Sequence, residues 1–92
     1  MPKDGYEWDP DKAAANFRRH RVDFADAALS LADPRALTMA DPDSTDEERH
    51  VCLARDPLGR VLVTVFTHRG DNIRLISSRK ASRGERRHYG KR

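Results

Sequence analysis

The 92-residue chain has one cysteine, Cys52, so it can form neither an internal disulfide nor a cysteine-built zinc site. No apolar run reaches the roughly 18 residues that a membrane-spanning helix needs. The opening Met1-Pro2-Lys3-Asp4-Gly5 also lacks the apolar stretch of a secretion signal, so a cytoplasmic protein with no membrane partner is expected. Glycine is sparse, with five residues, and none falls into GxGxxG or GxxxxGK(S/T), which argues against nucleotide-cofactor chemistry. His20, His50, His68 and His88 show neither HxH nor HExxH spacing, and no metal or other cofactor is expected. Cys52 has no nucleophile turn around it and reads as a small buried hydrophobe.

Acidic residues are scarce in one region only. From Arg69 to the C-terminus, Asp71 and Glu85 face nine Lys/Arg, a net of +7. Before Arg69, thirteen Asp/Glu face nine Lys/Arg, a net of −4, so the total of +3 conceals a polarised molecule. The basic third is not a loose tail, because it opens on the apolar run Ile73-Arg74-Leu75-Ile76, which reads as a strand. Arginines on an ordered frame suit phosphates or carboxylates, since the planar guanidinium offers paired donors and keeps its charge at neutral pH. Nucleic acid is the first partner to consider.

The length allows one domain, residues 1–92. Mean hydropathy is −0.87, yet Val61 to Phe66 is almost unbroken aliphatic sequence, so an ordered core is expected. Tyr6-Glu7-Trp8 is β-prone. Asp9 and Pro10 then supply the N-cap and first position of a helix that runs to about His20. On it, Lys12, Asn16, Arg19 and His20 share one face and Ala13 and Phe17 another. Asp23 caps a second helix whose buried stripe is Phe24, Ala27, Ala28 and Leu31, ended by Asp33-Pro34. Ala36–Ala40, His50–Arg55, Arg60–His68 and Ile73–Arg79 read as consecutive strands, with an acidic loop from Asp41 to Glu48 and a turn at Asp56-Pro57-Leu58-Gly59. Ser82 caps a short last helix through Tyr89, with Glu85 at the capping-box position. The order β-α-α-β-β-β-β-α gives an α+β two-layer sandwich. Two N-terminal helices pack on an antiparallel meander, a short C-terminal helix follows, and one sheet face is left to water.

Metal-free RNA cleavage is well supplied with parts. Attack by a ribose 2′-hydroxyl on its own phosphate needs a proton acceptor, donors for the phosphorane charge and a proton for the 5′ oxygen. Arg79, Arg74 and Arg69 are the placed donors, and His20, Glu85, Tyr89 or Lys12 could serve as acid or base. Plainer roles stand beside these. Arg86 and Arg87 suit a solvated helix face, Glu85 a capping box with Ser82, His20 a helix dipole, and Trp8 the core. Strand alternation places Ile73, Leu75, Ser77 and Arg79 on one face and Arg74, Ile76, Ser78 and Lys80 on the other. Arg74 and Arg79 therefore share a site only if a bulge or twist intervenes. A non-catalytic RNA-binding module, or an interaction protein whose arginines meet an acidic partner, fits the same charge pattern.

Tyr6-Glu7-Trp8-Asp9, Lys12, Asn16, Arg19-His20-x-Val22-x-Phe24-x-x-Ala27, the Asp33-Pro34 break, Arg49, the Val63–Phe66 strand, Arg74-Leu75-Ile76-Ser77-Ser78-Arg79-x-Ala81, Glu85-Arg86 and Tyr89 together resemble the BrnT family of bacterial toxins. Two signatures carry the resemblance, WDxxKxxxNxxxH near the start and RxISxRxAxxxER near the end. It implies a RelE-like ribonuclease fold and the toxin of a type II toxin–antitoxin pair, which cleaves RNA and arrests translation. A BrnA-like ribbon-helix-helix antitoxin would neutralise it, assemble with it as a heterotetramer and carry it to operator DNA. On this reading Arg79, Tyr89, His20, Glu85 and Lys12 are the catalytic candidates, and Arg69, Arg74, Lys80, Arg83 and Arg86 bind RNA. Arg21 stands where the family favours glycine, and Ser78 where it favours alanine.

Overall fold

The computed structural model describes residues 5–44 and 48–90. The opening Met1–Asp4, the Thr45-Asp46-Glu47 centre of the acidic loop and the last basic pair, Lys91 and Arg92, lie outside the described residues. The elements are β1 (Tyr6–Glu7), α1 (Pro10–His20), α2 (Phe24–Ser30), β2 (Leu37–Ala40), β3 (Arg49–Arg55), β4 (Val61–Arg69), β5 (Asn72–Lys80) and α3 (Arg83–Arg86). This is the expected α+β order, and the last helix is shorter than the expected run to Tyr89.

The sheet runs β1-β5-β4-β3-β2. Strands β2 to β5 form the antiparallel meander, whereas β1 pairs with β5 in parallel, Tyr6 beside Ile73 and Glu7 beside Arg74. The sheet is therefore mixed rather than wholly antiparallel. The two helices after β1 give the chain the length needed to cross the sheet and enter the meander at its far edge.

Local chemistry sets the helix ends. Asp9 Oδ1 accepts from the Asp11 and Lys12 amides at 2.8 and 3.3 Å, and Pro10 occupies the first turn, where a missing N–H is harmless. Helix α1 ends at Arg21, whose φ of 59° is the left-handed conformation that glycine takes most easily. Arg60 fixes this corner. Its Nε and Nη2 donate to buried Asp56 at 2.9 and 2.7 Å, its Nη1 donates to the Arg21 carbonyl at 3.0 Å, and its Nη2 lies 3.5 Å from Asp26.

The main core lies between the helices and the sheet. Val22, Phe24, Ala27 and Leu62 are wholly buried, and the Trp8 and Phe24 rings meet edge-on at 6.1 Å. Phe17 on the outer face of α1 is exposed, with the Arg21 guanidinium 5.6 Å from its ring, so the helix buries Asn16 instead. The other sheet face is not left bare as expected. Val61 and Val63 pack there with Ala81 and Tyr89, so the chain after β5 folds back over that face.

Strand β5 carries an irregularity that strict alternation could not foresee. Val65 pairs with Ser77 but Phe66 pairs with Leu75, so Ile76 is an extra residue opposite the Val65–Phe66 step. The bulge reverses the alternation. By register Arg79 and Ser77 lie opposite Val63 and Val65, and Arg74 opposite Thr67, which brings both arginines to the face away from α1 and α2.

Candidate functional site

Beyond its short pairing with β1, the outer edge of β5 is met by a side chain rather than by another strand. Asn16 Nδ2 donates to the Ser78 carbonyl at 2.9 Å, and the Ser78 amide donates to Asn16 Oδ1 at 3.1 Å. One carboxamide thus makes the pair of bonds a neighbouring strand would offer, and its second N–H reaches the Val22 carbonyl at 3.1 Å. Asn16 is buried, so these bonds fix how α1 sits against β5. The Ser78 and Thr64 hydroxyls, both buried, hydrogen-bond at 2.8 Å beneath them.

The face of α1 that carries Asn16 also carries Lys12, Arg19 and His20, and the clamp sets all three beside the bulge. Two adjoining cavities result. The inner one, about 470 Å³, is lined by Arg19, His20, Ser77 and Arg79 on one side and Asp41 and Asp43 on the other. The outer one, about 250 Å³, is lined by Lys12, Arg19, His20, Ile76 and Ser77. Arg19, His20 and Ser77 are common to both, so the two form one groove.

Of the expected catalytic residues, Arg79 and His20 meet in the inner cavity, and Lys12 lies next to them in the outer one. Glu85 joins them through Arg79, whose Nη1 and Nη2 donate to its two carboxylate oxygens at 2.8 and 2.9 Å. The Glu85 carboxyl also accepts the Ser82 amide at 2.8 Å, completing the capping box. The Arg79 guanidinium, helped by that Ser82 amide, holds the Glu85 pKa down at about 2 instead of 4.5. Glu85 in turn raises that of Arg79. Glu85 is thus a permanent anion that grips Arg79, not a group that exchanges protons near neutral pH. Arg79 keeps 44% of its side-chain surface open to solvent.

Tyr89 stands apart from the groove. Its hydroxyl donates to Asp33, its ring lies under the Arg55 guanidinium at 5.2 Å, and it packs on the Val61–Val63 patch. Burial, then the bond to Asp33, raises its pKa above the ordinary tyrosine value. Burial alone would raise the Asp33 carboxyl too, but the Tyr89 hydroxyl and the Arg55 and Arg35 amides outweigh it and hold the group below its ordinary range. Asp33, read in the sequence only as a helix stop, is the anchor of the C-terminal turn.

The expected RNA-binding residues are dispersed. Arg74 shares the face of Arg79 but lies roughly 15 Å along the strand, and its Nη1 meets Glu7 at 3.4 Å. Arg69 is at the hairpin tip beside Asn72, at the opposite end of β5 from Arg79. Lys80 pairs with Leu62 on the helix side of the sheet, Arg83 is exposed on α3, and Arg86 Nη1 donates to the Ala81 carbonyl at 3.2 Å. Arg19 and Ser77 were not among the expected site residues. The signal for Arg19 was present, since it stands seven residues after Lys12 on one helix face. Nothing local marked Ser77, which the bulge brings into place. Among the described residues no group of three His, Cys, Asp or Glu could hold a metal, and no helix is long and apolar enough to cross a membrane. Burial raises the Cys52 thiol pKa.

Residues 8–85 match the model of a family described as the BrnT ribonuclease toxin of type II toxin–antitoxin systems. The chain belongs to the BrnT family. Its fold also resembles the 1.1 Å crystal structure of the Brucella abortus ribonuclease toxin BrnT, with a TM-score of 0.61 and 25% identity over 83% of this chain and 94% of that one. No curated protein sequence matches the chain. BrnT membership makes RNA the target class and an antitoxin the partner class. The span that matches the BrnT model takes in every residue of the groove and ends at Glu85, before Tyr89.

Proposed function

We propose that this chain is a metal-independent endoribonuclease whose reaction centre is the inner cavity between α1 and β5. His20 takes the proton from a ribose 2′-hydroxyl, whose oxygen attacks the adjoining phosphorus. Arg19 and the Glu85-held guanidinium of Arg79 stabilise the charge that builds on the phosphorane. The bond from phosphorus to the 5′ oxygen breaks, leaving a 2′,3′-cyclic phosphate, and water in the open groove gives the departing oxygen its proton. The observation that carries this reading is the meeting of the His20 imidazole and the Arg19 guanidinium, both without a partner among the described residues, with a pre-oriented arginine in one cavity.

In the cell the activity arrests translation from the cytoplasm. A cognate BrnA-like antitoxin neutralises it, builds a heterotetramer through its own dimerisation and makes the only contact with operator DNA. Incubating purified protein with RNA in EDTA tests the chemistry: cyclic-phosphate ends are expected, and intact RNA would overturn it. Co-expressing the neighbouring reading frame tests the partner, with restored growth expected.

One observation favours a second reading, RNA binding without cleavage. Glu85 is locked as an anion and the Tyr89 hydroxyl is engaged by Asp33, which leaves His20 and Lys12 of the four acid–base candidates. That reading predicts salt-sensitive RNA retention with no product.

A further inference from the structure

The outer cavity differs from the inner one in sign. Asp41 and Asp43 wall the inner cavity, and its Arg79 already holds a carboxylate. Among the described residues no carboxylate lines the outer cavity, where Lys12, Arg19 and His20 converge on the Ile76–Ser77 bulge. Among the described residues none of these three side chains makes a hydrogen bond or ion pair, whereas Arg60, Arg74 and Arg79 are each paired with acids. Three unpaired basic groups around an acid-free hollow call for an anion from outside the chain.

Lys12 and Arg19 are seven residues apart on the helix, roughly 10 Å along its axis, which is more than one phosphate spans. The Asn16 clamp holds that separation fixed against β5. We propose that the outer cavity is a second phosphate site, in which Lys12 binds the RNA phosphate next to the scissile one. The inference rests on the ribonuclease reading and moves Lys12 from chemistry to substrate positioning. RNA would then run along α1 from Lys12 to His20, with Arg19 shared between consecutive phosphates.

The test compares wild type, Lys12→Ala, Lys12→Arg and Arg18→Ala on a mixed-sequence single-stranded RNA, with its 2′-deoxy analogue as the uncut binding probe. Arg18 is the control, since it sits on the other side of α1, lining a cavity with Trp8 and Phe17. Lys12→Ala is expected to raise KM about tenfold while kcat stays within about twofold. The slope of log K against log salt should shrink by about 0.7, one phosphate contact on a single strand. Lys12→Arg restores both, and Arg18→Ala keeps the wild-type slope. A fall in kcat with KM unchanged would put Lys12 at the reacting phosphate and overturn the proposal, as would an unchanged KM and slope in Lys12→Ala. If wild type cuts RNA and Lys12→Ala matches it, this inference alone fails. If wild type neither binds nor cuts RNA, the ribonuclease reading fails with it.

Discussion

Three arginines on or beside the sheet and three basic residues of α1 are held in opposite ways. Arg60 is tied to Asp56 and Asp26, Arg74 to Glu7 and Arg79 to Glu85. Lys12, Arg19 and His20 on α1 have no such partner among the described residues and line a groove instead. A carboxylate already in place takes up part of its arginine's donors and charge, whereas an unpaired cation loses only water on meeting a phosphate. On the proposed reading the C-terminal third contributes Arg79 as an oriented donor, and the RNA-binding surface runs along α1. Arg79 belongs to both groups, since it is paired yet substantially open to solvent.

This contrast can be broken by substitution. His20→Gln should cost the most, about 10²–10⁴ in kcat with RNA binding retained; a fully active variant would remove α1 from the chemistry. Arg79→Ala should cost about 10²–10³. Glu85→Gln, which leaves the arginine in place but poorly held, should cost about tenfold, measured in the same cleavage assay. Its pH signature is separate. Because the Glu85 carboxyl sits near 2 in the folded chain and near 4.5 otherwise, its pair stabilises the fold above pH 4.5, and that contribution fades as pH falls through 2. Denaturation followed through this window should show a shallower decline in Glu85→Gln.

Smaller effects sharpen the comparison. Asn16→Ala leaves a buried strand amide and carbonyl without partners, and should lose about 1–3 kcal/mol in urea unfolding. Tyr89→Phe removes the hydroxyl from Asp33 and should lose about 0.5–1.5 kcal/mol with cleavage unchanged. A dead Tyr89→Phe enzyme would return that residue to the mechanism.

Much of the fold was legible because its signals are local. Asp9-Pro10, Asp23 and Ser82 cap the helices they were read to cap, and the apolar runs end within a residue or two of the strands. What escaped depends on distant partners. Asn16 meets Ser78 across 62 positions and Asp33 meets Tyr89 across 56, and neither pair has a mark in its own neighbourhood. The bulge at Ile76 brought Arg74 and Arg79, expected on opposite faces, to the same one, and no glycine or proline in β5 announced it. The partnering of Glu85 was foreseen in its capping box but not in its grip on Arg79, which turns a possible acid into a fixed anion.

The most direct measurement is amide chemical-shift mapping of the labelled protein titrated with the 2′-deoxy oligomer. Shifts centred on Lys12, Arg19, His20, Ser77 and Arg79, with the Trp8–Phe17 side of α1 quiet, are the expected result. Shifts confined to the hairpin tip around Arg69 and to Arg83 and Arg86 of α3, with the α1 groove silent, would contradict the account.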